Sequence, residues 1–199
     1  MIIHQIFIPI FYKAIDDNPT WRDARLFNES KNYNIKLWNK QSLLDLIKND
    51  YPEFLDFVCK FPNDFWLGDF CRCLILHKCG GIYLDLDCKL IKIPDKNKNL
   101  VGYYFNPKKH INQINNDFIY FKDKNLYLEF CRFCILRGQL NKMPTNWICR
   151  RFLSIVGPNA MIAFAKKKSS IEIFNGYLRG IDKNDIETWL KMKELSDNR

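Results

Sequence analysis

The chain has 199 residues, of which 47% are hydrophobic and 15% aromatic. This is enough for one well-buried core and short for two, so we expect one domain over residues 1–199, with a frayed tail at 196–199. No apolar run reaches the roughly 18 residues of a membrane helix, and the opening MIIHQIFIPI lacks the features of a signal peptide. The sequence therefore predicts an unexported, cytoplasmic protein without a transmembrane segment.

The formal charge is +9, from 31 Lys and Arg against 22 Asp and Glu. Such a field favours anionic partners, but it does not choose between nucleic acid, anionic lipid and a phosphorylated small molecule. Solvated lysines that keep the protein soluble explain each basic run equally well when that run is taken alone.

Short apolar or alternating runs bounded by turn residues predict strands, and apolar residues at helical spacing predict helices. The predicted strands cover residues 2–8, 33–38, 82–87, 90–93, 100–105 and 117–121. The predicted helices run from residue 42 with a break at Pro52, over 65–78, over 126–136, from Gly157-Pro158 onward, and over 185–195. Strands interleaved with helices argue for an α/β protein with a layered sheet.

The eight cysteines lie mostly inside apolar segments, which in an unexported chain predicts buried free thiols. Cys71-x-Cys73 and Cys131-x-x-Cys134 have the spacing of metal ligands, so a structural zinc is an alternative. Both pairs sit in helix-like apolar stretches and not in turn-rich knuckles, which favours core packing.

The segment KCGGIYLDLDC at 78–88 places two glycines before a β-rich run that carries Asp85 and Asp87 at alternate positions. Strand interiors are poor in Asp, and alternate residues of a strand point to one face. Two carboxylates on one face suit a hard divalent cation such as Mg²⁺ or Mn²⁺, which then bridges to substrate phosphates. A pair of solvated strand residues is the alternative for this short motif.

Asp69 and Arg72 stand three residues apart on the preceding helix, WLGDFCRCLILHK. They could form an ordinary intrahelical ion pair on the surface. The rest of this helix is largely apolar, so we expect the pair to be partly enclosed, and enclosed charges need partners such as a sugar hydroxyl or a phosphate.

The segment DFCRCLILHKCGGIYLDLDCKL resembles the D-x-x-R-x-x-x-L-x-x-x-G-G-x-Y-x-D-x-D signature of the DXD-containing sugar transferases of the Och1-like family, which is related to the glucosylating domain of large clostridial toxins. Eight positions fall in register: Asp69, Arg72, Leu76, Gly80, Gly81, Tyr83, Asp85 and Asp87. The stretches IIHQIF, NYNIKLWN, INQINNDFIYF and VGP are similar to further elements of the family, so the likeness covers about residues 2–158.

This resemblance implies a GT-A fold, with a Rossmann-like mixed sheet flanked by helices, and a retaining, metal-dependent glycosyltransferase. The implied donor is a UDP- or GDP-sugar, the acceptor a carbohydrate or glycoprotein, the cofactor Mn²⁺ or Mg²⁺, and no specific nucleic acid is expected. Asp87 would bind the metal, Asp85 would hold sugar or ribose hydroxyls and the metal's water shell, and both would be catalytic together with Arg72. The implied donor-binding residues are Phe7, Ile8, Asp69, Arg72, Gly81, Tyr83, Asp85 and Asn116.

The chain departs from the family in two places. Phe7 stands where the family usually has Trp, and the C-terminal His and Ser-Trp elements are not found after Gly157-Pro158, where Trp189 is the only candidate. Unlike Golgi members of the family, the protein is expected to have no transmembrane anchor before its first strand, which favours a cytoplasmic or viral-factory setting. Its richness in Asn, Lys and Ile is compatible with a large DNA virus or a low-GC bacterium.

Three other readings stay open. A haloacid-dehalogenase-like phosphatase also ends a strand in D-x-D, but that motif expects Thr or Ser where Cys88-Lys89 follow here. A basic nucleic-acid-binding module fits the charge and the aromatic content but shows no recognised reader motif. A GT-A protein that has lost catalysis would explain the missing C-terminal elements.

His4, in the apolar first strand, is expected to be a satisfied core histidine and not a base.

Overall fold

The computed structural model describes residues 1–9, 13–106, 111–140 and 153–179. Its strands are β1 (Ile2–Ile6), β2 (Asn34–Trp38), β3 (Ile82–Leu84), β4 (Cys88–Leu90), β5 (Asn99–Asn106), β6 (Ile111–Phe121), β7 (Ile171–Ile173) and β8 (Tyr177–Arg179). Its helices are α1 (Pro19–Ser30), α2 (Lys40–Asp50), α3 (Leu55–Val58), α4 (Asp64–Cys79), α5 (Asn125–Leu140) and α6 (Pro158–Ala165).

Six strands form one mixed sheet in the order β2-β1-β3-β6-β5-β7. The pairs β1–β2, β1–β3 and β5–β7 are parallel, whereas β6 runs antiparallel to both β3 and β5. Strands β4 and β8 form a separate antiparallel pair. The predicted α/β architecture with a mixed sheet is therefore confirmed.

Helix α4 is the central helix of the fold, and ten of its sixteen residues are buried. It is apolar around most of its circumference, as expected for a helix covered on all sides. Trp66, Phe70 and Leu74 pack in the larger core cluster with residues of α2, α5 and α6. A smaller cluster lies around Ile82 and Phe118. The charged side chains in the middle of α4, Asp69 and Arg72, are consequently enclosed, with only 8% and 13% of their surfaces exposed.

Local sequence signals explain where α4 begins and ends. The side chain of Asn63 accepts a hydrogen bond of 3.0 Å from the backbone N–H of Phe65, as an N-cap does. Gly80 ends the helix with φ +67°. Both boundaries agree with the prediction.

His4 joins the sheet to the end of α4. The indole N–H of Trp38 donates to its Nδ1 (3.1 Å), so its Nε2–H donates to the carbonyl oxygen of Gly80 (3.0 Å). Burial lowers the pKa of His4 to about 4, with a smaller contribution from the charge of Lys36. The prediction of a satisfied core histidine is confirmed.

Several other expectations can now be compared with the structure. Helix α1 and strands β7 and β8 were not predicted, and the predicted helix at 185–195 lies outside the described residues. Cys59 and Cys79 are exposed, which corrects the expectation for these two thiols, whereas the cysteines at 71, 73, 88, 131 and 134 are buried and free. Cys149 lies outside the described residues. In the described part of the chain, the helices are too short or too polar to cross a bilayer.

Candidate active site

The turn between α4 and β3 fixes the position of the site. Gly80 and Gly81 both have positive φ values, +67° and +81°, which disfavour any residue with a Cβ. A Cβ built on Gly81 would lie 2.6 Å from the carbonyl oxygen of Ile2. Glycine therefore lets the chain reverse closely against β1 before it enters β3.

The two aspartates of the D-x-D motif lie in a turn and not on a strand, which corrects the sequence-based expectation. Strand β3 ends at Leu84, and the backbone N–H of Cys88 donates to the carbonyl oxygen of Asp85 at 3.1 Å to close the turn. The Asp85 carbonyl also accepts from the side chain of Gln5 (3.2 Å). The Asp85 N–H donates to the Asp117 carbonyl (2.8 Å), so β1 and β6 both hold the turn in place.

Arg72 is the centre of a buried polar network. Its Nη2 lies 2.8 Å from Asp69 Oδ1 and 3.0 Å from Asp85 Oδ1, and its Nη1 donates to the carbonyl oxygen of Asn116 (2.8 Å). The guanidinium also stacks over the ring of Tyr83, 4.7 Å from the ring centroid, and the Tyr83 hydroxyl donates to Asp85 Oδ1 (2.8 Å). The pair Asp69–Arg72 is therefore not a surface ion pair.

This network leaves two groups available to a ligand. The Nε–H of Arg72 is buried and has no hydrogen-bond partner among the described residues. The contacts of Asp85 with described side chains go to Oδ1 and leave its Oδ2 open, and the side chain is 23% exposed. A buried donor without a partner is costly, so this N–H is suited to a hydrogen bond with an oxygen of a ligand.

Asp69 has neighbours from two further parts of the chain. The amide of Asn116 donates to its Oδ1 (3.0 Å), and a Cβ built on Gly157 would lie 3.3 Å from its Oδ2. Burial raises the pKa of Asp69 to about 6, although the charge of Arg72 opposes this and that of Asp85 adds to it. The VGP element and the Asn-containing strand thus both reach the network from distant parts of the sequence.

A second polar cluster surrounds Asp87. Its Oδ2 accepts from Nε of Arg179 (3.0 Å), and its Oδ1 lies 3.3 Å from the thiol of Cys88. Nη1 of Arg179 lies 3.8 Å from Oδ2 of the fully buried Asp117. Burial raises the pKa of Asp87, and the charge of Arg179 opposes that rise.

Asp117 is enclosed by hydrogen-bonding groups. Its Oδ2 accepts from the amide of Asn115 (2.9 Å), and its Oδ1 lies 2.5 Å from the hydroxyl of Tyr177, which is also 2.9 Å from the Tyr103 carbonyl. The hydroxyl has one hydrogen to donate, so a protonated Asp117 satisfies both contacts. In agreement, burial and the charge of Asp85 raise the pKa of Asp117 to about 7.

The structure also positions the remaining predicted residues. Phe7 follows β1 and packs edge-to-face against Trp21 of α1, with ring centroids 6.1 Å apart. Ile8 lies over α4 at Gly68: a Cβ built on that glycine would be 3.8 Å from Cδ1 of Ile8. Asp69, Arg72, Tyr83, Asp85 and Asn116 come together in one network, whereas Asp87 belongs to the neighbouring cluster. Trp189 lies outside the described residues.

Three residues of the site were missed in the sequence. Asp117 carried a usable signal, because an aspartate in the strand INNDFIYF breaks the same rule as the D-x-D motif. Tyr177 and Arg179 lie on a three-residue strand, which is too short to show a pattern.

The donor set fits a hard divalent cation. Asp85 and Asp87 offer carboxylate oxygens at the turn, and the described residues contain no group of three or more His, Cys, Asp or Glu side chains that could enclose a metal. Two carboxylates would leave most of the coordination sphere to water and substrate oxygens, as is usual for Mg²⁺. With Asp117 protonated, the three carboxylates of Asp69, Asp85 and Asp87 exceed Arg72 and Arg179 by one negative charge.

Comparisons with known proteins agree with this geometry. Residues 22–117 match the family model described as a glycosyltransferase sugar-binding region containing a DXD motif. Inositol phosphoceramide mannosyltransferase 3 of Schizosaccharomyces pombe is 44% identical over 55 residues, which is 28% of this chain and 15% of the relative. An uncharacterised glycosyltransferase of Acanthamoeba polyphaga mimivirus is 32% identical over 128 residues, 58% of this chain and 45% of the relative. The chain thus spans less than half the length of these curated relatives.

Among solved structures, the PaToxG glycosyltransferase superposes with a TM-score of 0.55 over 98% of this chain and 76% of that chain. The identity is 15%, so this likeness concerns the fold alone. Fold, motif and family model agree. The chain has the fold of the GT-A glycosyltransferases, and its residues 22–117 match their DXD-containing sugar-binding region.

Proposed function

We propose that this protein transfers a hexose from a nucleoside-diphosphate sugar to a hydroxyl group of a carbohydrate or glycoprotein, with retention and with Mn²⁺ or Mg²⁺, in the cytoplasm. The observation that carries the proposal is the network that Arg72 makes with Asp69 and Asp85, together with its buried Nε–H, for which the described residues supply no hydrogen-bond partner. An enclosed set of donors and acceptors at the end of parallel strands is suited to the hydroxyls and phosphates of such a donor.

Each residue has a defined task in this proposal. Asp69 and Arg72 bind and orient the donor sugar, and Asn116 keeps Asp69 in position through its amide. Asp85 accepts from sugar or ribose hydroxyls with the oxygen that the network leaves open, and Asp87 would hold the cation. When bound, the cation supplies Lewis-acid stabilisation of the departing nucleoside diphosphate. Arg72 lies between two carboxylates, so its charge and orientation are fixed before the donor arrives.

Phe7 and Ile8 are proposed to line the nucleoside end of the site, since both follow the carboxyl end of β1. Tyr83 keeps Arg72 and Asp85 in position, because its ring stacks on the guanidinium and its hydroxyl donates a hydrogen bond to the carboxylate. The fission-yeast relative is named a mannosyltransferase that acts on inositol phosphoceramide. GDP-mannose therefore belongs among the first donors tested, and phosphoinositol lipids among the first acceptors.

Thermal unfolding with a panel of UDP- and GDP-sugars, with and without Mn²⁺, tests the proposal. A ligand at about 100 times its Kd adds about 2.7 kcal/mol of stability, which is visible as a rise in Tm. We expect a rise that needs both Mn²⁺ and the correct nucleotide, and that Asp87→Asn removes. Asp56→Asn, on the exposed surface of α3, is the matched control and should keep the rise.

If no nucleotide sugar raises the Tm of the folded protein under any metal condition, the proposed donor site is wrong. If Asp85→Asn instead removes a phosphatase activity in a protein that does not bind nucleotide sugars, the phosphatase reading replaces this one. Retention is tested separately by the anomeric configuration of the first-formed product, read by NMR.

A further inference from the structure

Arg179 forms an ion pair with Asp87, the aspartate of the D-x-D motif that would bind a cation. The antiparallel pairing of β4 with β8 sets Arg179 opposite Cys88, the residue after Asp87. Its Nε donates to Asp87 Oδ2 at 3.0 Å, while the Cys88 thiol contacts Oδ1 at 3.3 Å. Both oxygens of Asp87 are thus engaged by the protein itself.

A divalent cation and Arg179 compete for this carboxylate. A magnesium ion lies about 2.0–2.1 Å from its oxygen ligands, much closer than the guanidinium nitrogen lies to Asp87. The Asp87 side chain is only 9% exposed, so there is little room for two positive groups beside it. Two unshielded positive charges at one buried carboxylate would also repel each other.

Arg179 is able to move away, because its side chain is 42% exposed and lies on the short strand β8. Once released from Asp87, the guanidinium presents a planar set of donors that matches phosphate oxygens in pairs. A diphosphate held by a cation at Asp87 would bring such oxygens to the position that Arg179 has just left.

We propose that Arg179 is a two-position residue: it neutralises Asp87 in the empty site and binds the donor diphosphate once a divalent cation has taken Asp87. This inference rests on the proposed function, since it assumes a nucleoside-diphosphate donor. It gives β8 a role in binding the donor diphosphate.

The test measures two affinities in the wild type and in Arg179→Gln. Mn²⁺ binding without nucleotide is followed by the electron paramagnetic resonance of free Mn²⁺, and binding of UDP and GDP at saturating Mn²⁺ is followed by calorimetry. Loss of a charge-assisted hydrogen bond at a partly exposed site corresponds to about a tenfold change in affinity. We expect Arg179→Gln to bind Mn²⁺ about tenfold more tightly, and the preferred nucleoside diphosphate about tenfold more weakly.

The opposite signs make the test specific, because a variant that merely distorts the fold would weaken both affinities. Arg179→Lys keeps the charge but loses the planar donors, so it should retain weak Mn²⁺ binding and still bind the nucleotide poorly. Arg25→Gln removes a guanidinium that pairs with Asp16 and Glu29 on the surface, and should change neither affinity.

Unchanged or weaker Mn²⁺ binding in Arg179→Gln would overturn the competition, and unchanged nucleotide binding would overturn the diphosphate contact. If wild-type nucleotide binding is independent of metal but is lost in Arg179→Gln, Arg179 replaces the cation and does not exchange with it, which also overturns the proposal. Failure of the proposed function looks different: the wild type would then bind neither nucleotide, and Asp87→Asn would not affect Mn²⁺ binding.

Discussion

Replacing Gly81 with alanine tests whether the close approach of the α4–β3 turn to β1 sets the position of the site. The new Cβ would lie 2.6 Å from the Ile2 carbonyl oxygen and 3.1 Å from Nε2 of His4. The first contact is with backbone, which cannot rotate away, so β3 has to shift relative to β1. Asp85 follows β3 directly and would move with it.

Gly80 provides a matched control. It also has a positive φ, but a Cβ there would have no atom of the described residues within 4 Å. Gly80→Ala therefore carries backbone strain alone, about 1–3 kcal/mol. Gly81→Ala adds the collision, and overpacking of this kind costs about another 1–3 kcal/mol. The gain from a less flexible unfolded chain is similar in both variants and cancels in their difference.

Urea unfolding followed by circular dichroism gives the two free energies, and the thermal shift with donor and Mn²⁺ reports on the site. We expect Gly81→Ala to be the less stable variant by more than about 1 kcal/mol, and to lose more of the donor-dependent rise in Tm than Gly80→Ala. Equal stabilities for the two variants would refute the argument that the approach to Ile2, and not the backbone conformation alone, requires glycine.

Three further predictions concern buried charges. Arg72→Met removes the guanidinium between Asp69 and Asp85 and should lower the free energy of unfolding by about 3–5 kcal/mol at pH 7. Adding Asp69→Asn should recover part of this loss. A loss below about 1 kcal/mol, measured by urea unfolding, would contradict the buried pairing. Asp69→Asn alone should become more stable relative to the wild type, by about 2–3 kcal/mol, as the pH rises from about 4 to 6. The pKa of Asp69 is raised to about 6, so ionising this carboxyl costs the wild type stability that is not lost at low pH and is fully lost above that pKa. Parallel curves of stability against pH for the two proteins would exclude a raised pKa of Asp69. His4 should stay neutral in the folded protein down to about pH 4. The unfolded chain binds the proton near pH 6.5, so the free energy of unfolding should fall as the pH is lowered from 6.5 towards 4. An NMR titration of His4 with a midpoint near 6.5 would show that the ring is not enclosed between Trp38 and Gly80.

The parts of the site that could be predicted from the sequence are those joined by short, regular stretches of chain. Asp69 and Arg72 share one face of α4 because they stand three residues apart, and the glycine turn delivers the chain to β3 at a fixed distance. Asn116 was predicted only through the family resemblance, and the structure brings it to Asp69. The enclosure of the ion pair followed from the apolar composition of α4.

Other predictions from the sequence were wrong or missing for identifiable reasons. The pattern Y-x-D-x-D suggested that β3 continues to Asp87, but the strand ends at Leu84 because the Asp85 carbonyl closes a turn with Cys88. Helix α1 was missed because it has few apolar residues, although Asn18 before Pro19 is a clear start signal: its side chain accepts from the N–H of Thr20 and of Trp21.

The cluster around Asp87 shows why the rest of the site lay beyond the sequence. Arg179 stands 92 residues from Asp87, and the register of β8 on β4 alone brings it opposite the turn. A shift of one residue in this pairing would turn Arg179 to the other face and set the exposed Leu178 against Asp87 instead. Because Asp87 is buried, that register would leave an uncompensated charge, which is strongly unfavourable. The carboxylate of the D-x-D turn therefore helps select the pairing of β8, and the ion pair that fixes this register is also part of the site.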